Sequence, residues 1–336
     1  MHFNWFLGVD GFKVGHTPLG NKTYTQEEYL TIAEAQMREI FGKYTAGGEL
    51  GEIWFDGGTG PSNATAARVV KDIAPTAMCH SCSPFTQDPD DPNRGYGVRW
   101  MGNEEAVMPL PSWGASPGGQ HGGGVGGGDP YGVTFQPPSC DAVLREHYWF
   151  WEPNTEHAIK STKRLVDNYL TSVGRAANLI LNIAPDGTGA IPAEDVSRYS
   201  EMGAAIECLF SAKVGTGGAQ ASNTSMEWRF DTPIASRNLS VWVLEDQSDG
   251  QLINAWSVDC QQDNGAIWTP CHADVGVGHK RIVNIVLPET PAASETPAAS
   301  VTAMRLNVHT HFAMPDQVPT IKAIEVFDWA SKTHCV

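Results

Sequence analysis

The sequence predicts an α/β region followed by an antiparallel β-sandwich, and three observations carry that expectation. Helix-like and strand-like stretches alternate over roughly the first 210 residues, the pattern of βαβ units. Short runs with period-two alternation, such as Leu239, Val241 and Val243, fill the remainder, as half-buried strands do. Between them lies a small-residue stretch, Gly215–Ser222, which reads as a linker. The expected domains are therefore residues 1–214 and 215–336.

In the first region, Thr25–Tyr44 reads as an amphipathic helix. Tyr29, Ile32, Ala33, Met37, Ile40, Phe41 and Tyr44 form its apolar stripe, and Thr25 and Glu28 have the spacing of a capping box. The apolar run Glu52–Asp56 follows as a strand, then Ala64–Ile73 as a helix, Thr76–Cys79 as a strand and Val98–Trp100 as a strand. Glycine dominates Gly118–Gly128, but the stretch lacks the Gly-Lys-Ser/Thr ending of a phosphate loop and reads as a flexible loop. A further helix is expected at Glu156–Ser172 and a buried strand at Asn178–Ile183. Beyond the linker, strands are expected at Met226–Phe230, Asn238–Glu245, Gln251–Val258, Lys280–Leu287, Ala303–His309 and Ile321–Asp328. Six strands in so short a span argue a β-sandwich. The tandem hexapeptides Glu289–Ser294 and Glu295–Ser300, rich in Pro and Ala, read as an exposed loop expansion.

Asp56 ends its strand immediately before Gly57-Gly58. Functional side chains of α/β proteins gather at such carboxyl ends, although an Asp-Gly pair is also a common turn. Arg99-Trp100-Met101-Gly102-Asn103-Glu104 puts a second acid after a second strand-like run. Two carboxylates at the strand ends of one sheet suggest a catalytic pair. Glu105 stands beside Glu104, and in a strand the two would point to opposite faces.

These segments resemble the α-L-fucosidases of glycoside hydrolase family 29, most closely the plant-type branch with its "IWFDG" strand and "RWxGxE" segment. Similar stretches are Asn4–Val9, Pro137–Asp141, Trp149–Trp151 and Ser172–Ile183. The resemblance implies a (β/α)8 (TIM) barrel, here N-terminally truncated, followed by the β-sandwich. Roughly three barrel strands and a paired-histidine segment would precede Met1; His16, His80 and His121 are isolated and read as loop or surface residues. The implied activity is retaining hydrolysis of fucosylated glycans, in which two carboxyl groups lie roughly 5–5.5 Å apart. Asp56 would be the nucleophile and Glu104 the acid and later the base, with a pKa raised by burial or by the neighbouring charge. Arg99 could bond sugar hydroxyls or steady a carboxylate. Trp149 and Trp151 alternate, so that both could stack on a deoxy sugar or, equally, pack in the core. Ser139 stands where many relatives have Glu. The alternative is a non-catalytic carbohydrate-binding or structural remnant of such an enzyme.

Composition limits the partners. With 22 basic against 38 acidic residues the net charge is -16, and no Lys/Arg run could follow a phosphate backbone, so nucleic acid is not expected. No apolar run reaches the roughly 20 residues of a membrane span. The first residues lack the basic leader of a signal peptide, yet sequons at Asn21, Asn63, Asn223 and Asn238 fit a glycoprotein. An extracellular, lysosomal or vacuolar location is expected for the full-length parent. No metal or organic cofactor is expected. Cys260 and Cys271 are the expected disulfide, and Cys79-His80-Ser81-Cys82 reads as a strand-end disulfide or two thiols.

Overall fold

The structure, a computed structural model, describes residues 2–4, 25–43, 50–56, 63–80, 97–116, 127–132, 134–216, 220–222, 224–235, 238–262, 267–287, 300–314 and 317–336. Tyr44, the paired glycines after Asp56, His16, His121, Cys82, most of the glycine-rich stretch and nearly all of the duplicated hexapeptides lie outside the described residues. The chain divides into two compact units. Residues 1–100, 115–124 and 132–137 form one, and residues 101–114, 125–131 and 138–336 the other.

The first unit is built on strand β1 (His2–Asn4), helix α1 (Gln26–Lys43), β2 (Glu52–Asp56), helix α2 (Asn63–Ile73) and β3 (Met78–His80). The three strands pair in parallel with β2 in the middle. Ile53, Trp54 and Phe55 are all buried, as expected of a strand covered on both faces. The capping box forms: Thr25 N–H donates to Glu28 Oε2 at 2.9 Å and Glu28 N–H to Thr25 Oγ1 at 3.2 Å. Ala33, Met37 and Phe41, four residues apart, pack with Ile53, Phe55, Ala66, Val69 and Cys79 in one core. Ile32, expected on the stripe, is 38% exposed. On the outside Arg38 joins Glu34 and Asp72, and Arg68 joins Glu34, tying α1 to α2. The unit also holds β4 (Arg99–Trp100), β5 (Ala115–Ser116) and β6 (Thr134–Phe135), the last two antiparallel.

The second unit begins its regular structure with β7 (Pro138–Ala142), helix α3 (Thr162–Ser172), β8 (Asn178–Leu181) and helix α4 (Ala193–Leu209). β7 and β8 are parallel. Two expectations need correction. The helix expected from Glu156 starts at Thr162, because Ser161 caps it by accepting the Arg164 N–H at 3.2 Å while Ile159 is extended; Glu156–Ala158 is a separate 3-10 turn. The strand expected to be buried, β8, is half-exposed along most of its length. Helix α4 is unanticipated: its inward apolar residues Met202, Ala205 and Leu209 are few, and the apolar spacing is broken where Asp195 turns inward and Val196 is exposed.

The rest is antiparallel. β9 (Lys213–Thr216), β10 (Gln220–Ser222), β11 (Ser225–Ile234), β12 (Asn238–Glu245), β13 (Ile253–Gln262), β14 (Trp268–Val275), β15 (Arg281–Val286), β16 (Val301–His311) and β17 (Ile321–Asp328) form two sheets. Their orders are β10-β11-β16-β13-β14 and β15-β12-β17-β9. Both sheets feed one core, with Leu239, Val241, Val283 and Val326 from one and Trp228, Trp256, Val258 and Leu306 from the other. All six expected strands occur. The stretch expected as a linker supplies the end of β9 and all of β10. β14 escaped the sequence pattern because Pro270 interrupts it; as an edge strand it tolerates the lost N–H, and the β13 register shifts at Val258/Asp259 opposite that proline. Cys260–Cys271 is a disulfide as expected, and Cys208–Cys335 is a second. Cys79 is also disulfide-bonded, and Cys140 is a buried free thiol.

Candidate active site

Asp56 is the last residue of β2, the central strand of the parallel sheet, opposite Asn4 of β1. It is half-buried, where Ile53, Trp54 and Phe55 before it are buried. The apolar run holds the strand in the core and stops at the carboxylate, which leaves Asp56 at the strand's carboxyl end. Beside it, Trp54 stacks on His80 with ring centroids 4.2 Å apart and meets Trp100 edge-on at 5.9 Å. His80 therefore corrects an expectation: it is neither a loop nor a surface residue but the half-buried last residue of β3, registered against Trp54. The signal available was the strand expected at Thr76–Cys79, which the fold places at Met78–His80. Arg99, in β4, is buried at 3% exposure, and its N–H donates to Pro137 O at 3.0 Å.

In the second unit Glu104 is exposed and lies four residues after β4 ends, in a loop rather than at a strand end. That loop is shaped by one side chain and two unusual backbone positions. Asn103 Oδ1 accepts the N–H groups of Glu105 and Val107 at 3.3 and 3.2 Å, and its Nδ2 donates to Val107 O at 2.8 Å. Gly102 at φ 72° and Ala106 at φ 56° bracket the acid; glycine takes the first conformation without steric cost. The Ala106 N–H bonds Asp141 O and the Met108 N–H bonds Thr171 O, fastening the loop to β7 and α3.

Glu104 and Glu105, expected on opposite faces of a strand, lie in a loop instead and take different partners. Trp149 Nε1 donates to Glu104 Oε2 at 3.0 Å, whereas Arg164 Nη2 bonds Glu105 Oε2 at 2.9 Å. Two of the expected site residues thus meet directly. Trp149 and Trp151 lie in a bend, so the alternation that would put both on one side does not apply; Trp151 is half-buried, and Phe150 between them is 73% exposed. Asn182 Nδ2 holds the Trp149 carbonyl at 3.0 Å.

The same bend is anchored from below. Arg145 bonds Asp195 Oδ1 through Nη2 at 2.7 Å and through Nε at 3.0 Å, and reaches Thr155 Oγ1 through Nη1 at 2.9 Å. Both charged partners are buried. This pin, with Asn103 and Asn182, went unrecognised in the sequence because its members are 50 residues apart and carry no motif. Ser139 is fully buried in β7, and Asp141 is buried two residues later in the same strand.

Residues 136–208 match the family model described as Alpha-L-fucosidase. The Arabidopsis thaliana protein Alpha-L-fucosidase 1 is 29% identical over 200 residues, covering 55% of this chain and 36% of that protein. A candidate α-L-fucosidase 1 of Oryza sativa subsp. japonica is 29% identical over 223 residues, covering 62% of this chain and 39% of its own length. The chain thus spans less than two fifths of the length of these curated relatives. A crystal structure of a candidate α-L-fucosidase from Bacteroides thetaiotaomicron superimposes with a TM-score of 0.66 at 27% identity, over 89% of this chain and 64% of that one. Sequence and fold together relate this chain to the α-L-fucosidases of glycoside hydrolase family 29.

Proposed function

We propose that the protein is a retaining α-L-fucosidase, with Asp56 as nucleophile and Glu104 as acid and base. The observation that carries the proposal is the bond from the Trp149 indole to the Glu104 carboxylate, which joins two residues that family motifs had picked out separately. In this reading the Asp56 carboxylate attacks the anomeric carbon of α-L-fucose as Glu104 gives a proton to the departing oxygen. Glu104 then takes a proton from water, which releases the sugar from Asp56. Trp149 sets the Glu104 rotamer, Trp149 and Trp151 offer ring faces to the C–H-rich side of the deoxy sugar, and Arg99 bonds its hydroxyls. The substrate is a fucosylated oligosaccharide or glycoprotein, and the double displacement itself calls for no cofactor.

The same proposal includes a (β/α)8 barrel in the complete enzyme, a C-terminal β-sandwich starting near residue 215, and passage through the secretory route. The disulfides Cys208–Cys335 and Cys260–Cys271 favour an oxidising compartment, and the sequon residue Asn238 is exposed at the start of β12. No helix among the described residues is long and apolar enough to cross a membrane.

Glu104→Gln is the test. An acid matters most for a poor leaving group, so this variant should lose on the order of a hundredfold or more on a fucosyl disaccharide and far less on an activated aryl fucoside. Trp149→Phe should give a milder loss of the same substrate dependence. Equal losses on both substrates, or a larger loss from Glu105→Gln, would remove Glu104 from the role.

One observation favours the alternative of a non-catalytic remnant: the described strands in parallel sheets, β1, β2, β3, β4, β7 and β8, are fewer than the eight a closed barrel needs. An assay of residues 1–336 alone bears on the remnant reading. The remnant reading expects fucoside hydrolysis at or near background, and turnover at enzyme-like rates would dismiss it.

A further inference from the structure

Cys208 lies one residue before the end of α4, and its disulfide partner Cys335 lies 127 residues further along the chain. His334 stands against that bond, its Nε2 3.9 Å from Cys208 Sγ and 4.0 Å from Cys335 Sγ. The three atoms lie within 4.8 Å of one another, and among the described residues no other three Cys, His, Asp or Glu side chains gather in this way. The cluster has no part in the fucosidase chemistry proposed above. We propose that reduction of the Cys208–Cys335 disulfide opens a zinc site made of the two thiolates and His334 Nε2, with water as the fourth ligand.

Four features support it. Two thiolates and an imidazole are a borderline-soft donor set of the kind that selects zinc. Zinc–sulfur bonds of about 2.3 Å and zinc–nitrogen bonds of about 2.0 Å put tetrahedral donors roughly 3.3–3.8 Å apart. The imidazole is already close to that distance, and a Cα–Cα separation of 5.8 Å lets the sulfurs part by side-chain rotation alone. Cys208 also sits in the last turn of a helix, where the carbonyl ends of the peptide dipoles favour a cation. Lastly, the donors stay together without the covalent bond. Cys335 and Trp329 pack on Val166, Ala205 and Leu209, and Phe210 meets Trp329 at 5.5 Å. Both cysteines are half-buried and His334 is exposed, so reductant, metal and water have access.

The chemistry balances with a phosphine as reductant. The phosphine takes the oxygen of one water and becomes phosphine oxide, the S–S bond breaks, and the water's two protons go to the two thiols. Zinc then displaces those protons as two zinc–sulfur bonds and one zinc–nitrogen bond form.

The test uses the purified chain with its disulfides intact and the same chain after phosphine reduction and removal of the reductant, each titrated with Zn2+ and, as a spectroscopic probe, Co2+. The oxidised chain should take up no zinc at this site. The reduced chain should bind one zinc, and cobalt should give thiolate charge-transfer and tetrahedral ligand-field absorption. Cys208→Ser and Cys335→Ser should each abolish the cobalt spectrum, His334→Ala should weaken zinc binding by at least about tenfold, and Cys260→Ser should change nothing. His334 is exposed on a short 3-10 turn, so its variant keeps the fold even if a cysteine variant does not. Absence of uptake by the reduced chain, or uptake unchanged in His334→Ala and Cys208→Ser, would overturn the proposal.

Discussion

The C-terminal strands and the α/β residues hold themselves together differently. From Met226 to Val326 the β-rich residues bury their apolar side chains in one cluster shared by two sheets. The residues before them divide theirs among four smaller clusters, one of which also takes in Trp329 and Cys335, and add polar pins such as Arg145–Asp195 and the Asn103 loop. A single apolar core gives stability with little positional control over any one polar group. The pinned region gives up that continuity, and it is the region that carries Glu104 and Trp149.

Four substitutions sharpen or break this contrast. Trp256→Ala, in the shared core, should cost about 3–5 kcal/mol, because the ring is 1% exposed and its Nε1 also bonds Gly276 O at 3.1 Å. Guanidinium unfolding would measure it, and a loss below about 1 kcal/mol would mean that the core is looser than described. Arg145→Ala should cost a similar 3–5 kcal/mol by stranding the buried Asp195 charge. Unlike the core variant it should also free the Trp149 bend, seen as faster hydrogen exchange over residues 144–160. Unchanged exchange there would deny the pin its positioning role.

The third concerns Glu245, whose carboxylate is buried and accepts the N–H groups of Leu252, Ile253 and Gly278. Burial pushes its pKa up from 4.5 to about 7, against the pull of those three bonds. A raised pKa in the folded state means that its contribution is fully present below about pH 4.5 and is lost as pH rises through about 7. The β-rich region should therefore weaken by up to roughly 3 kcal/mol over that window, and Glu245→Gln should flatten the profile. A wild-type profile as flat as the variant's would refute the assignment. The smallest effect belongs to Thr25→Ala, which removes the capping box and should cost about 1 kcal/mol, confined to the first turn of α1.

The contrast also explains what could be read from the sequence. Alternation along Leu239, Val241 and Val243 and the four-residue spacing of Ala33, Met37 and Phe41 reflect burial directly, so β12 and α1 were legible within one or two residues of their observed ends. Asp56 was legible because an apolar strand stops at it. Helix α4 was hidden by an inward acid, Asp195, and an outward Val196 that break its apolar spacing, and β14 by a proline that only an edge strand accepts. The Glu104 loop was misread as a strand end, since nothing local announces that Asn103 accepts two backbone N–H groups or that Ala106 adopts a positive φ. The disulfide between Cys208 and Cys335 joins positions 127 residues apart and has no local signature.

The central claim, that Asp56 is the nucleophile of a double displacement, is tested most directly by azide rescue. In the longest form of the protein that cleaves an aryl α-L-fucoside, Asp56→Gly should lose turnover by roughly a thousandfold or more, because no covalent intermediate can form. Added azide should then restore cleavage and yield β-L-fucosyl azide, the anion entering from the face the carboxylate had occupied. Wild-type kcat in Asp56→Gly, or a rescued product of retained α configuration, would contradict the account.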